Sequence, residues 1–155
     1  MRLASLAFVA AFGFATPVTA TTLDTQAGSV SIDPVVEGLD TPWAFGVLPD
    51  GTILVTERHG RMIGVRDGTR WDVDGLPRIK VDGQGGLLDV LIPSDFAENR
   101  TLFLTFAQKQ FIRGSGTAVY RARLSDDGRR LEDGKTIFTI ARGTGGGFSF
   151  RCCSG

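Results

Sequence analysis

Trp43-Ala44-Phe45-Gly46-Val47-Leu48-Pro49-Asp50-Gly51-Thr52-Ile53-Leu54-Val55-Thr56-Glu57-Arg58-His59-Gly60-Arg61-Met62-Ile63-Gly64-Val65-Arg66-Asp67-Gly68-Thr69-Arg70-Trp71-Asp72-Val73 decides the fold class. It divides into four short apolar runs, 43–48, 52–57, 61–66 and 69–73. Between them stand Pro49-Asp50-Gly51, His59-Gly60 and Asp67-Gly68, residue sets that favour tight turns. Runs of this length joined by such turns predict an antiparallel four-stranded meander. No long stretch carries helical periodicity.

Downstream the pattern recurs with longer connections, in runs 86–92, 101–107, 117–124 and 135–140. Residues 93–100 take the place of Pro49-Asp50-Gly51, and Asp126-Asp127-Gly128 forms another turn. Ile53-Leu54-Val55-Thr56 has a counterpart in Leu102-Phe103-Leu104-Thr105. Two four-stranded units with a repeat of about fifty residues point to β-propeller blades. A β-sandwich is the competing all-β architecture.

Between the two sets lies Asp82-Gly83-Gln84-Gly85-Gly86-Leu87-Leu88-Asp89. Its glycines let the backbone adopt positive φ and approach another group closely. Gln84 is the long side chain among them and carries both a donor and an acceptor. A turn built this way is able to present one amide at the end of a sheet.

Upstream, Met1-Arg2, an apolar run at 3–15 and Thr16-Pro17-Val18-Thr19-Ala20 describe a secretory signal peptide ending at Ala20. The run is too short for a membrane span. Residues 21–34 are small and polar and read as a lead-in. The chain carries 17 Lys+Arg and 17 Asp+Glu, so loss of the leader with Arg2 leaves it close to neutral. Nothing in that balance suggests nucleic acid or an anionic membrane as partner. The two cysteines, Cys152 and Cys153, are adjacent. A disulfide framework or a Cys/His metal site needs spaced ligands, so the domain is expected to rely on packing.

Several smaller features carry a bland reading. His59, the single histidine, sits in a turn that supplies no orienting partner, and reads as solvated. Gly134-Lys135-Thr136 lacks the spacing and helix of a phosphate loop and reads as a hairpin turn. Asn99-Arg100-Thr101 fits a glycosylation acceptor. Asp126-Asp127 and Asp72/Asp74 lack the dense carboxylate spacing of a calcium loop and read as turn and edge residues. Trp43 opens an apolar strand and reads as core.

Gly38-Leu39-Asp40-Thr41-Pro42-Trp43-Ala44-Phe45, Leu48-Pro49-Asp50-Gly51 and Leu54-Val55-Thr56-Glu57-Arg58-x-Gly60-Arg61 together resemble the start of the soluble, quinone-dependent aldose sugar dehydrogenases. The 82–89 stretch, Pro93-x-Asp95-Phe96 and Gly116-Thr117-Ala118-Val119 continue the resemblance, which covers roughly residues 35–146. It implies a six-bladed β-propeller that binds pyrroloquinoline quinone (PQQ) with calcium and oxidises the anomeric carbon of an aldose to a lactone. A histidine base would take the C1 hydroxyl proton while hydride passes to the quinone. Gln84 would lie on the sugar side of the pocket, with Asp82 as a weaker neighbour. The cofactor ligands would come mainly from later blades, and the exported enzyme would be periplasmic or secreted. A propeller lactonase or hydrolase holding calcium, and a non-catalytic binding propeller, are the alternatives.

The resemblance also implies a Gly-Gly-x-His-Phe-Gly pattern soon after the last strand. Gly143-Thr144-Gly145-Gly146-Gly147 arrives in place, but residues 148–155 continue Phe-Ser-Phe-Arg-Cys-Cys-Ser-Gly and the histidine is absent. Codons TCA-TTT-CGG for Ser149-Phe150-Arg151 would read His-Phe-Gly one nucleotide later. A frame shift near Gly147 is the expected origin of this aberrant tail. The expected organisation is a leader at 1–20, a lead-in at 21–34, about two blades at 35–147 and the tail. Two blades by themselves are expected to be inactive and prone to aggregate through unpaired edges.

Overall fold

The structure is a computed structural model that describes residues 21–109 and 115–140. The expected leader, the glycine run 143–147 and the tail lie outside the described residues. The chain forms a small N-terminal unit ending at Val35 and a larger one from Val36 onward.

The N-terminal unit, expected as an ordered or frayed lead-in, is ordered as a hairpin. Strands β1 (Thr21–Thr25) and β2 (Gly28–Ile32) pair antiparallel as a hairpin, with Thr21 opposite Ile32. β-Branched residues favour the extended backbone. Thr25 closes the turn, its hydroxyl donating to the Gly28 carbonyl at 2.7 Å and accepting from the Ala27 amide at 3.2 Å. The small polar composition concealed a hairpin that its own turn bonds specify.

In the larger unit, β3 (Pro42–Val47), β4 (Ile53–Glu57), β5 (Arg61–Arg66) and β6 (Thr69–Asp72) form one antiparallel sheet in chain order. A second sheet, again in chain order, contains β7 (Leu87–Leu91), β8 (Thr101–Lys109), β9 (Ser115–Leu124) and β10 (Leu131–Thr139). Among the described residues neither sheet has the crossover of a Greek key, which sets the sandwich aside. A one-turn helix, α1 (Phe96–Asn99), interrupts the expected loop at 93–100. It buries Phe96 beneath the Arg100 guanidinium, 5.6 Å from the ring centre.

A second expectation is corrected in β10. Gly134-Lys135-Thr136 is not a hairpin turn but lies within that strand, at an irregularity between Glu132 and Lys135 where Asp133 takes φ +52°. A side chain at Gly134 would collide with the Tyr120 ring and hydroxyl. The bulge is where one strand makes room for its neighbour's tyrosine.

The two sheets bury a common core. Leu54 and Met62 of the first share it with Val90, Leu102, Leu104, Phe106 and Leu124 of the second. Alternate residues of β8 supply one face of it, as the period-two pleat requires. Trp71 packs against this core from the edge of the first sheet. Gly64 leaves the space its indole occupies, and Nε1 donates to the Gly128 carbonyl in the turn between β9 and β10 at 2.9 Å. Asp74 extends this outer joint through backbone bonds to Arg129 and Leu131. Trp43, expected in the core, is half-buried and outside this cluster.

Turn carboxylates make the stability pH-dependent. The Thr52 amide and hydroxyl, with Arg66, hold Asp50 below the ordinary value of 3.8. The Ser125 hydroxyl and the Arg129 amide do the same for Asp127. A depressed folded-state pKa contributes stability that is present above the ordinary value and lost as pH falls through the folded one. A double Asp50→Asn, Asp127→Asn variant should therefore melt at a lower temperature than wild type at neutral pH. The two melting curves should converge as pH drops below 3.8. A constant gap across that range would refute the ionic origin.

Candidate functional site

The 82–89 stretch leads into β7, and the first sheet fixes where its turn stands. Asp82 and Gly85 exchange backbone bonds, Gly85 N to Asp82 O at 2.8 Å and Asp82 N to Gly85 O at 3.2 Å. The glycines divide the work that the sequence assigns to them jointly. Gly83 takes φ +55°, the left-handed value the turn needs. Gly86 serves close approach, because a Cβ there would stand 2.0 Å from the Arg58 carbonyl oxygen.

The segment Thr56-Glu57-Arg58 supplies the other half of the joint. Thr56 is fully buried and donates its hydroxyl to the Leu88 carbonyl at 2.5 Å, across the two sheets. Glu57 is only 2% exposed. It accepts the Asp40 amide at 2.6 Å and has Arg61 at 3.7 Å, so its charge is partnered rather than poised for chemistry. Arg58 accepts the Leu87 amide at 3.0 Å with its carbonyl. Its guanidinium donates from Nη1 to the Gly83 carbonyl at 2.6 Å. The sequence signature Thr-Glu-Arg-x-Gly-Arg is thus a clamp between consecutive sheets.

Gln84 is exposed at the tip of the clamped turn. Among the described residues its side chain has no hydrogen-bond partner, so the amide's donors and acceptor are available to a ligand. Asp82 is exposed beside it, 3.9 Å from the Lys80 ammonium. The structure therefore places the two expected site residues on one turn.

His59 differs from its sequence reading in one respect, since the turn does give it a partner. Arg58 Nη2 lies 2.9 Å from His59 Nε2. A guanidinium only donates, so it occupies the imidazole lone pair that a general base would need. A cleft of about 320 Å³ nearby is rimmed by Arg61, Asp72 and Asp74. Its Arg61–Asp72 pair is closed at 2.6 Å.

The calcium and quinone that the family resemblance implies find little here. Among the described residues no three His, Cys, Asp or Glu side chains converge to hold a metal. Asp72 is held by Arg61 and Asp126 by Arg123. A quinone bearing several carboxylates needs cations aimed at it, yet Arg58 and Lys80 are turned to Gly83 and Asp82. This stretch fits neither group by itself. Thr56, Glu57 and Arg58 had no individual role in the sequence reading. Their signal was a run of polar residues ending an otherwise apolar strand.

Consecutive meanders stacked face to face, clamped at a glycine-rich turn, define a β-propeller segment. A family model described as glucose/sorbosone dehydrogenase matches residues 39–152. The chain belongs to that family, a family of sugar oxidoreductases. It is 35% identical over 120 residues to the aldose sugar dehydrogenase YliI of Escherichia coli K12, covering 71% of this chain and 30% of that relative. A crystal structure of a glucose dehydrogenase is 42% identical, with a TM-score of 0.65 over 68% of this chain and 31% of that one. The PQQ-bound aldose sugar dehydrogenase of Streptomyces coelicolor, 23% identical, shares the fold with a TM-score of 0.62 over 81% of this chain and 36% of its own. The chain thus spans about a third of the length of these relatives. Among the described residues no helix is long and apolar enough to cross a membrane.

Proposed function

We propose that the protein oxidises the C1 hydroxyl of an aldose to the lactone with PQQ as hydride acceptor, and that this chain contributes the sugar-side turn. The observation that carries the reading is the Gln84 amide, unbonded at the tip of a turn held from the neighbouring blade. Such an amide donates to one sugar hydroxyl and accepts from another, orienting the ring against the redox group. Asp82 is the weaker neighbour, able to accept a hydrogen bond from a second hydroxyl. The name of the Streptomyces coelicolor relative supports PQQ. Calcium is carried over from the resemblance alone, and both would be held outside the described residues. The described part offers no free histidine base beside Gln84, because the His59 lone pair faces Arg58. By itself the chain is expected to be inactive. Export to the periplasm or medium follows from the leader at 1–20 and suits an enzyme that meets free sugar.

The test uses the full-length protein supplied with PQQ, calcium and an aldose, with reduction of an artificial acceptor as readout. Gln84→Ala should lower kcat/KM for the sugar by roughly tenfold or more, the loss of a substrate hydrogen bond. PQQ affinity should stay unchanged. Wild-type turnover in this variant removes Gln84 from the sugar site, and no turnover with any aldose removes the dehydrogenase reading.

A further inference from the structure

We propose that Arg58 is a positioning residue, whose guanidinium sets where the Gln84 amide stands. Its functional half rests on the sugar-side reading of Gln84; its structural half does not. Beyond the Asp82–Gly85 pair, the described hydrogen bonds give residues 83 and 84 one anchor, Arg58 Nη1 on the Gly83 carbonyl at 2.6 Å. That oxygen belongs to the same planar peptide group as the Gln84 nitrogen. Fixing it therefore fixes the nitrogen and Cα of Gln84, the atoms from which its side chain is carried. A Cβ added at Gly83 would meet nothing within 4 Å, so packing does not hold the turn tip.

Arg58 is tied on its other sides. Its carbonyl takes the Leu87 amide at 3.0 Å, and its side-chain stem lies against Gly86. Its second terminal nitrogen donates to His59 Nε2 at 2.9 Å, which stops the fork rotating. One residue thus grips the turn before Gln84 at Gly83 and after it at Leu87. Lysine, with a single rotating ammonium, cannot hold Gly83 and His59 in one plane. His59 enters as the guanidinium's partner rather than as a base.

The experiment compares Arg58→Met, which keeps the apolar stem, and Arg58→Lys with wild type in the full-length protein, each with and without Gln84→Ala. Amide exchange across residues 82–86, read by mass spectrometry, should quicken about tenfold in Arg58→Met and less in Arg58→Lys, while the core strands stay protected. With aldose, kcat/KM should fall roughly tenfold in Arg58→Met, yet less than about twofold further when Gln84 is already alanine, because the two act as a unit. Unchanged exchange in Arg58→Met overturns the proposal. So does an equal activity loss in both Gln84 backgrounds, which would mark Arg58 as a general support. If Gln84→Ala alone keeps wild-type activity, the sugar reading and the functional half of the proposal fall together. A faster exchange in Arg58→Met would still separate that outcome from failure of the Arg58 anchor.

Discussion

Replacing Gly86 with alanine should open the joint between the two blades and lower the unfolding free energy by roughly 3–5 kcal/mol. The added methyl would stand 2.0 Å from the Arg58 carbonyl oxygen and 2.9 Å from its carbonyl carbon. Both are backbone atoms of a strand end, so no side-chain rotation relieves the clash. The blades must part, and the Leu87 amide then loses the Arg58 carbonyl. A buried donor left unpaired adds its desolvation cost to the overlap. Gly83→Ala is the control on the same turn. Its Cβ meets no atom, so the cost is the left-handed φ alone, about 1–2 kcal/mol. Urea unfolding of the two variants measures the contrast. Equal small losses would mean that the joint at Arg58 does not form.

Phe106→Ala should cost about 3–5 kcal/mol, as truncation of a fully buried aromatic does. Phe106 faces the core between the sheets, opposite Leu87 on one side and Ala118 on the other. Its ring and that of Tyr120 form a T-shaped pair, centroids 6.3 Å apart at 84°. Leu87 also follows Gly86, so the cavity would undermine the same joint from beneath. Domains of this kind are stable by only about 5–15 kcal/mol, so the loss removes a large share of the total and the variant should melt well below wild type. Phe138→Ala in β10 provides the reference, since Phe138 is 57% exposed. It should change stability by no more than about half a kcal/mol. Thermal unfolding followed by circular dichroism distinguishes the two, and a Phe106 variant as stable as the Phe138 one would place the core elsewhere.

Most of the sheet structure was legible because it is local. Alternation over five or six residues and a turn residue set are properties of neighbouring positions, and they located all eight strands of the two blades. Legibility ended where a turn residue did another job. Asp133-Gly134 looks like a turn in sequence, and in the structure it accommodates Tyr120 from the next strand. The hairpin at 21–32 was missed because its apolar content is low and its register is set by Thr25, a single turn hydroxyl. Phe96 likewise forms a helical turn only because the core offers it a place beneath Arg100.

Sequence alone determined the all-β meanders, their pairing order and the amide-bearing turn at Gln84, since each depends on contacts between residues close along the chain. Tertiary structure decided what Thr56, Glu57 and Arg58 are for. Their partners lie on other segments, Thr56 with Leu88 and Arg58 with Gly83 and Leu87. A polar residue at a strand end is equally compatible with solvent, a ligand or a clamp. Only the arrival of a second sheet, close enough to exclude water and side chains at Gly86, settles which bonds it makes.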